Sequence, residues 1–131
     1  MKLLLLSIFA VMAGTSFAAE SPFACNRAAL SSEARKRHFD ELGPALRASH
    51  KSIRELPDGF EFEFPNDTAT FQLVAEWVAG ERLCCPFFDI DVHIERESGR
   101  LWLRLTGREG VKQFIQAEFE GWKQNPKDFD H

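Results

Sequence analysis

The sequence lacks tyrosine, any excess of positive charge and most of the cysteine that a disulfide scaffold would use. Its 131 residues include no Tyr, three Cys and two Met, and twenty acidic residues outnumber sixteen Lys and Arg, for a formal net charge of −4. Affinity for nucleic acid rests largely on positive charge, so nucleic acid is excluded as the expected partner. The composition, 44% apolar and 27% charged, is that of one ordinary globular domain and excludes a disordered chain.

The recognised catalytic motifs are missing as well. The chain has no Ser-His-Asp order, no glycine-rich phosphate loop, no HExxH, no paired-carboxylate signature and no Cys-x-x-Cys. Hydrolase and kinase functions therefore have no support, and the sequence favours a protein that is not an enzyme. The thirteen Phe and three Trp indicate a well-filled core rather than a polar aromatic contact surface.

The N-terminus has the pattern of a secretory signal peptide. Lys2 precedes an apolar run over residues 3–13 that only Ser7 interrupts, and residues 16–18 have the small-x-small form of a cleavage site. The run is shorter than the ~20 residues of a membrane span. We expect cleavage after Ala18, a single domain over residues 19–131, and export to the periplasm or the medium with no membrane association after cleavage.

Period-two alternation predicts four strands in two hairpins. A short strand at residues 52–55 pairs with residues 60–64, where Phe alternates with Glu, and residues 89–95 pair with residues 101–106 across Ser98-Gly99. Phe60, Phe62, Phe64, Ile90, Val92, Ile94, Leu101, Leu103 and Leu105 are expected to face the core. The opposite, outer face would display Glu61, Glu63, Asp89, Asp91, His93, Glu95, Trp102 and Arg104. An exposed Trp102 among acids predicts a protein partner there, and an ordinary solvated face is the alternative.

Helical spacing predicts three helices around these hairpins. The first follows a cap at residues 30–33 and bends at Gly43-Pro44, the second follows residues 66–68 and ends near Leu83, and the third follows Gly107. Their apolar positions are Phe39, Leu42, Leu46 and Ile53 in the first, Phe71, Val74, Ala75 and Val78 in the second, and Val111, Phe114, Ile115 and Phe119 in the third. The order α-β-β-α-β-β-α is an α+β fold, an antiparallel sheet with helices on one face. Residues 123–131 form a loose tail.

The three cysteines are the residues for which the sequence indicates specific chemistry. Cys84 and Cys85 are adjacent at the predicted end of the second helix, and Cys25 is the third. A disulfide from Cys25 to either of the other two would close a loop of about 60 residues and stabilise the fold by ~4 kcal/mol. A bond between the adjacent pair is disfavoured, because neighbouring Cα atoms are ~3.8 Å apart. Any single disulfide leaves one thiol.

Three cysteines and one histidine form a closed ligand set for Zn²⁺, and thiolates also select Cu(I). His38 is the candidate fourth ligand with Cys25, Cys84 and Cys85, because its position on the first helix faces inward. An ordinary buried histidine is the alternative. His93 is expected to be solvated, and His50 and His131 have no visible partners.

Two charged residues precede the cysteine pair. Glu81 and Arg82 either support the metal ligands from behind or form an exposed pair at the helix end. Phe87 and Phe88, which follow, are expected to fill the core.

The segment ERLCCPFF at residues 81–88, with LWLRLTG at residues 101–107 and EGVK at residues 109–112, resembles a group of small uncharacterised bacterial proteins with an ER-x-CCPF motif. The similarity runs from Cys25 to Phe119. The resemblance implies a joint Cys-His site in which Cys25 and Arg37-His38 match an early cysteine and an Arg-His pair. It supplies no activity, and the export signal departs from members that lack one.

Three interpretations therefore remain open. The first is a domain that binds a thiophilic metal ion of the Zn or Cu(I) class through Cys25, His38, Cys84 and Cys85, for structure, trafficking or tolerance. The second is a thiol-disulfide redox protein in which Cys84 or Cys85 attacks and Cys25 resolves. The third is a non-catalytic interaction domain that is stapled by one disulfide.

Overall fold

The computed structural model describes residues 20–120. The predicted signal peptide at residues 1–18 and the predicted tail at residues 123–131 lie outside these residues. No helix of the described part is both long enough and apolar enough to cross a membrane.

Four antiparallel strands form one sheet in the order β1-β2-β4-β3. They are β1 (Ser52–Leu56), β2 (Gly59–Phe64), β3 (Asp89–Ile94) and β4 (Leu101–Thr106). Each predicted hairpin forms, β1 with β2 and β3 with β4, and the two hairpins join through β2 and β4. The alternation of apolar and polar residues predicts these strands because successive side chains point to opposite faces.

The helices confirm the predicted element order. They are α1 (Ser32–Lys36), α2 (Gly43–Ser49), α3 (Thr68–Cys84) and α4 (Val111–Glu118), and a π-helical stretch (Arg37–Leu42) joins α1 to α2. Pro44 explains the widened turn at the predicted bend, because its ring lacks an N–H and crowds the carbonyl four residues earlier. Ile53, which fits both the spacing of this helix and the predicted strand at residues 52–55, lies in β1.

The buried face of helix α3 only partly matches the prediction: Val74 is buried and Val78 packs against the core as predicted, but Phe71 and Ala75 do not. Its buried residues are Val74, Trp77, Glu81 and Cys84, whereas the predicted Phe71 is 38% exposed. Ala75 is exposed too. Burial of the large Trp77 ring outweighs that of Phe71, because the indole removes more apolar surface from water. The helix is thereby turned so that Glu81 and Cys84 face the interior.

The core lies between the inner face of the sheet and the helices, as the fold class predicts. It is built from Leu30, Leu42, Leu46, Phe60, Phe62, Phe64, Val74, Trp77, Phe87, Phe88, Leu101, Leu103, Leu105, Val111 and Ile115 with two cysteines. The predicted core positions of Phe87 and Phe88 are confirmed. Helix α4 packs on β2.

The outer face is not the open acidic surface that the alternation suggests. Trp102 is only 2% exposed, because the guanidinium of Arg54 lies 3.7 Å from its ring and its indole N–H donates to Glu95 at 3.2 Å. Glu61 is buried between Arg54 and Arg104, which approach its carboxylate at 3.2 Å and 2.6 Å. The predicted exposure of Trp102 is wrong, because long arginine side chains cover the ring. A protein partner on this face stays a prediction.

Strand β3 is more exposed than the prediction has it. Val92 and Ile94 are on the apolar face as expected, but they are 41% and 43% exposed. The strand is the last of the sheet in the described residues, where the packed helices leave its face partly uncovered. His93 is exposed, as predicted.

Candidate metal centre

The candidate centre lies where α3 ends. Cys84 is the last helical residue, and Pro86 stops the helix because it disfavours helical geometry at the residue before it. The N–H of Cys85 still donates to the Glu81 carbonyl at 2.8 Å. The N-terminal segment joins this end through the N–H of Asn26, which donates to the Cys84 carbonyl at 2.6 Å. The early and late cysteines therefore meet at one helix terminus.

A disulfide links Cys25 to Cys85 across a sequence separation of 60 residues, with the Cα atoms 4.6 Å apart. This decides between the two pairings that the sequence left open. Cys84 retains a free thiol and is fully buried. Its Sγ lies 3.8 Å from Sγ of Cys85, so all three sulfur atoms are together.

His38 and Glu81 complete the site, and they come from two different helical elements. Nε2 of His38, on the π-helical stretch, lies 2.7 Å from Oε2 of Glu81 on α3. The two residues are 3% and 5% exposed. The imidazole stacks on Trp77, with ring centroids 5.6 Å apart and an interplanar angle of 15°. The inward position predicted for His38 is confirmed.

The thiol of Cys84 touches both members of this pair. Its Sγ lies 3.9 Å from Nε2 of His38 and 3.7 Å from Oε2 of Glu81. One ligand atom from each residue, a nitrogen, an oxygen and a sulfur, lies within 4.8 Å of the other two. We call this set the His38–Glu81–Cys84 cluster. A carboxylate oxygen of Glu81 also lies within 4.8 Å of the sulfurs of Cys25 and Cys85.

The site disfavours a thiolate when no cation is bound. Burial raises the pKa of the Cys84 thiol to about 12, and the neighbouring Glu81 carboxylate adds to the effect. The C-terminal carbonyls of a helix also oppose negative charge. This agrees with the sequence argument against a strongly activated nucleophile at the end of the helix.

One polar atom in the site has no protein partner. Nδ1 of His38 is buried and finds no hydrogen-bond partner within residues 20–120. It packs on Gly80, where an added Cβ would lie 2.6 Å from it. Glycine at this position therefore admits the imidazole to the surface of α3.

A cavity of about 180 Å³ adjoins the cluster. Cys25, His38 and Glu81 line it on the side of the site. Its other lining residues include the aromatic Phe39, Trp77, Phe114 and Phe119 and the charged Arg47 and Glu118.

The two charged residues before the cysteine pair have different surroundings. Glu81, predicted either to support the ligands from behind or to be exposed, is buried and contacts both His38 and Cys84 directly. Arg82 is exposed, as the second of those alternatives predicts. His50, which had no visible partner, is buried with Nδ1 2.6 Å from the carbonyl of Arg47.

The available sequence signal for the missed contacts was helical spacing. Trp77, Glu81 and Cys84 are separated by four and three residues and so share one face of α3. Gly80 adjoins that face.

No family model, curated protein or solved structure matches the chain.

Proposed function

We propose that the protein binds a thiophilic divalent metal ion through Cys84, His38 and Glu81. The observation that carries the proposal is the burial of a thiol, an imidazole and a carboxylate whose ligand atoms lie within 4.8 Å of one another. Buried polar groups of this kind are costly unless they are paired or coordinate a metal. The Cys25–Cys85 disulfide braces the helix end that carries two of the three ligands.

Electrostatics supports a cation here rather than a free nucleophile. The Glu81 carboxylate is buried, and the pKa of Cys84 is raised to about 12 by burial first and by Glu81 second. A divalent ion reverses this effect, because a coordinating thiol loses its proton outright. The two negative ligands then balance the charge of the ion.

The spacing is close to that of a tetrahedral site. Bonds of ~2.0 Å to nitrogen or oxygen and ~2.3 Å to sulfur place a sulfur about 3.5 Å from either lighter ligand atom. The Cys84 Sγ distances of 3.9 Å to His38 and 3.7 Å to Glu81 need only small adjustment. The 2.7 Å contact of Nε2 with Oε2 must widen to about 3.3 Å for both atoms to bind one ion.

The mixture of donors favours Zn²⁺ over Cu(I). Zinc accepts Cys, His and carboxylate ligands in one site, whereas Cu(I) is selected by soft sulfur ligands. In the disulfide form Cys25 and Cys85 are not thiolate ligands, so the proposed set differs from the four residues chosen from the sequence. Reduction would make both available beside Cys84.

The test is a Zn²⁺ titration of chelator-treated protein against a competing chromophoric chelator. Wild type is expected to bind one ion, and Glu81→Gln and Cys84→Ser are each expected to weaken binding at least tenfold. Glu76→Gln is the matched control, since Glu76 is on the same helix but exposed and paired with Arg37. Absence of stoichiometric binding, or equal affinity in all four proteins, would overturn the proposal.

A further inference from the structure

The two sulfurs of the disulfide are not equally accessible. Cys85 is fully buried, whereas Cys25 is partly exposed and lines the 180 Å³ cavity. A reagent that enters the cavity therefore meets Cys25 first. This asymmetry distinguishes the bond from a fully enclosed structural disulfide, since exchange depends on which sulfur an attacking thiol reaches.

We propose that the Cys25–Cys85 disulfide exchanges with small aliphatic thiols, and that the incoming thiol attacks Cys25 from the cavity. The cavity is smaller than the ~300 to 1,000 Å³ that holds drug-sized ligands, so it suits a thiol of a few heavy atoms and not a thiol on another protein. Aromatic walls such as Phe39 and Phe114 suit an aliphatic chain.

The exchange balances as two ordinary steps. The thiolate of a small thiol, RSH, forms a bond with Sγ of Cys25, the Cys25–Cys85 bond breaks, and Sγ of Cys85 leaves with the electron pair and takes the proton that RSH released. A second RSH attacks the mixed disulfide at the small-thiol sulfur. The products are RSSR and reduced Cys25 and Cys85, so two small thiols are oxidised and one protein disulfide is reduced.

Cys84 is placed to assist the leaving group. Its Sγ lies 3.8 Å from Sγ of Cys85, within the range of a sulfur hydrogen bond, and its S–H can donate to the sulfur as negative charge develops there. This role is the reverse of the one that the sequence suggested, in which Cys84 or Cys85 attacks. Cys84 is here a positioning and stabilising residue, and Cys25 carries the exchange.

The segment that contains Cys25 is held near α3 when the bond is cut. The N–H of Asn26 donates to the Cys84 carbonyl at 2.6 Å, and Cys25 packs against the core. After the first step the Cys85 thiol therefore stays near the mixed disulfide and can re-form the original bond by expelling RSH. The exchange is reversible for this reason.

The test uses chelator-treated, folded, full-length protein and 2-mercaptoethanol, with acid quenching and peptide mass mapping. We expect a 2-mercaptoethanol adduct on Cys25 alone. A thiol attached to a large polyethylene glycol chain should react at least tenfold more slowly, while urea-unfolded protein should give adducts on both Cys25 and Cys85 with either reagent. Absence of adduct on folded protein, a first adduct on Cys85, or equal rates for the two thiols would each overturn the proposal.

Two variants test the part assigned to Cys84. Cys84→Ala should slow adduct formation about tenfold, because a hydrogen bond to a charged group is worth ~1.5 kcal/mol or more. Cys84→Ser, which keeps a donor, should recover most of the rate. Equal rates in wild type and Cys84→Ala would remove the assisting role. Because metal is absent throughout, a failure of Zn²⁺ binding leaves this test intact, and a failure of exchange leaves the metal proposal intact.

Discussion

At the scale of single residues, Cys84 links protonation to stability. Its pKa rises from 9.0 to about 12 in the folded protein because of burial and the nearby Glu81 carboxylate. The folded state therefore holds this proton more tightly than the unfolded chain does. The resulting contribution to stability is complete below about pH 9 and is lost as the pH rises through the folded pKa of about 12.

The first prediction follows from the direction of this pKa shift. The free energy of unfolding of metal-free wild type should fall between pH 9 and pH 12 more steeply than that of Cys84→Ala, which has no thiol to titrate. Urea unfolding at a series of pH values measures the difference. Parallel curves for the two proteins would contradict the assigned environment of Cys84.

The second prediction concerns metal affinity at the same residue. Zn²⁺ must displace the Cys84 proton, because burial raises the pKa of this thiol to about 12, so binding should tighten by about tenfold per pH unit from pH 6 to pH 8. Competition titrations across that range, with proton release followed in weak buffer, provide the measurement. An affinity that does not change with pH would mean that the thiol is not a ligand.

At the scale of elements, α3 shows what periodicity can and cannot predict. Its start, its approximate end and its helical nature follow from Asp67 and Pro86, whose local chemistry acts on the backbone directly. Its buried face does not follow, because several apolar stripes fit the sequence and only packing selects one. Tertiary packing buries Trp77 in preference to Phe71, and the site residues on α3 face inward together with Trp77.

The third prediction tests the close contact of this helix with the imidazole. Gly80→Ala puts a Cβ 2.6 Å from Nδ1 of His38 and should displace the ring, so Zn²⁺ affinity should fall at least tenfold. Gly43→Ala is the matched control, since its Cβ would come no nearer than 3.4 Å to the His38 carbonyl oxygen. Helix propensity alone favours both changes by up to ~1 kcal/mol. A metal affinity equal in the two variants would contradict the packing assigned to Gly80.

The fourth prediction concerns the edge of the sheet. Val92 and Leu103 are register partners on the apolar face, but Val92 is 41% exposed and Leu103 is 2% exposed. Leu103→Ala should lower the free energy of unfolding by ~2 to 5 kcal/mol and Val92→Ala by under ~1 kcal/mol. Chemical denaturation compares them directly. Similar losses would show that something covers β3.

At the scale of the whole molecule, the fold class was predictable because the period-two and helical patterns are local and agree with one another. The meeting of the cysteines was predicted as the condition for a disulfide or a shared metal site, but the sequence left open whether Cys25 pairs with Cys84 or with Cys85. Exposure was the least predictable property, as the covered Trp102 and the uncovered Ile94 show. Both depend on which long side chains and helices reach each face, and such contacts join residues that are far apart in sequence.

The fifth prediction concerns the loop of the chain that the disulfide closes. The Cys25–Cys85 bond closes a loop with a sequence separation of 60, so its loss should lower the free energy of unfolding by ~4 kcal/mol in the chain-entropy model. Cys25→Ser should match wild type that is fully reduced by a strong reductant, and the same reductant should leave Cys25→Ser unchanged. A stable Cys25→Ser protein with wild-type urea sensitivity would contradict this contribution.

The most direct test of the metal site is X-ray absorption spectroscopy of the Zn²⁺-loaded protein in its disulfide form. We expect one sulfur ligand at about 2.3 Å, with the remaining ligands nitrogen or oxygen at about 2.0 to 2.2 Å. The sulfur contribution should vanish in Cys84→Ser. A shell of nitrogen and oxygen alone in wild type, or a sulfur signal that persists in Cys84→Ser, would contradict coordination by the His38–Glu81–Cys84 cluster.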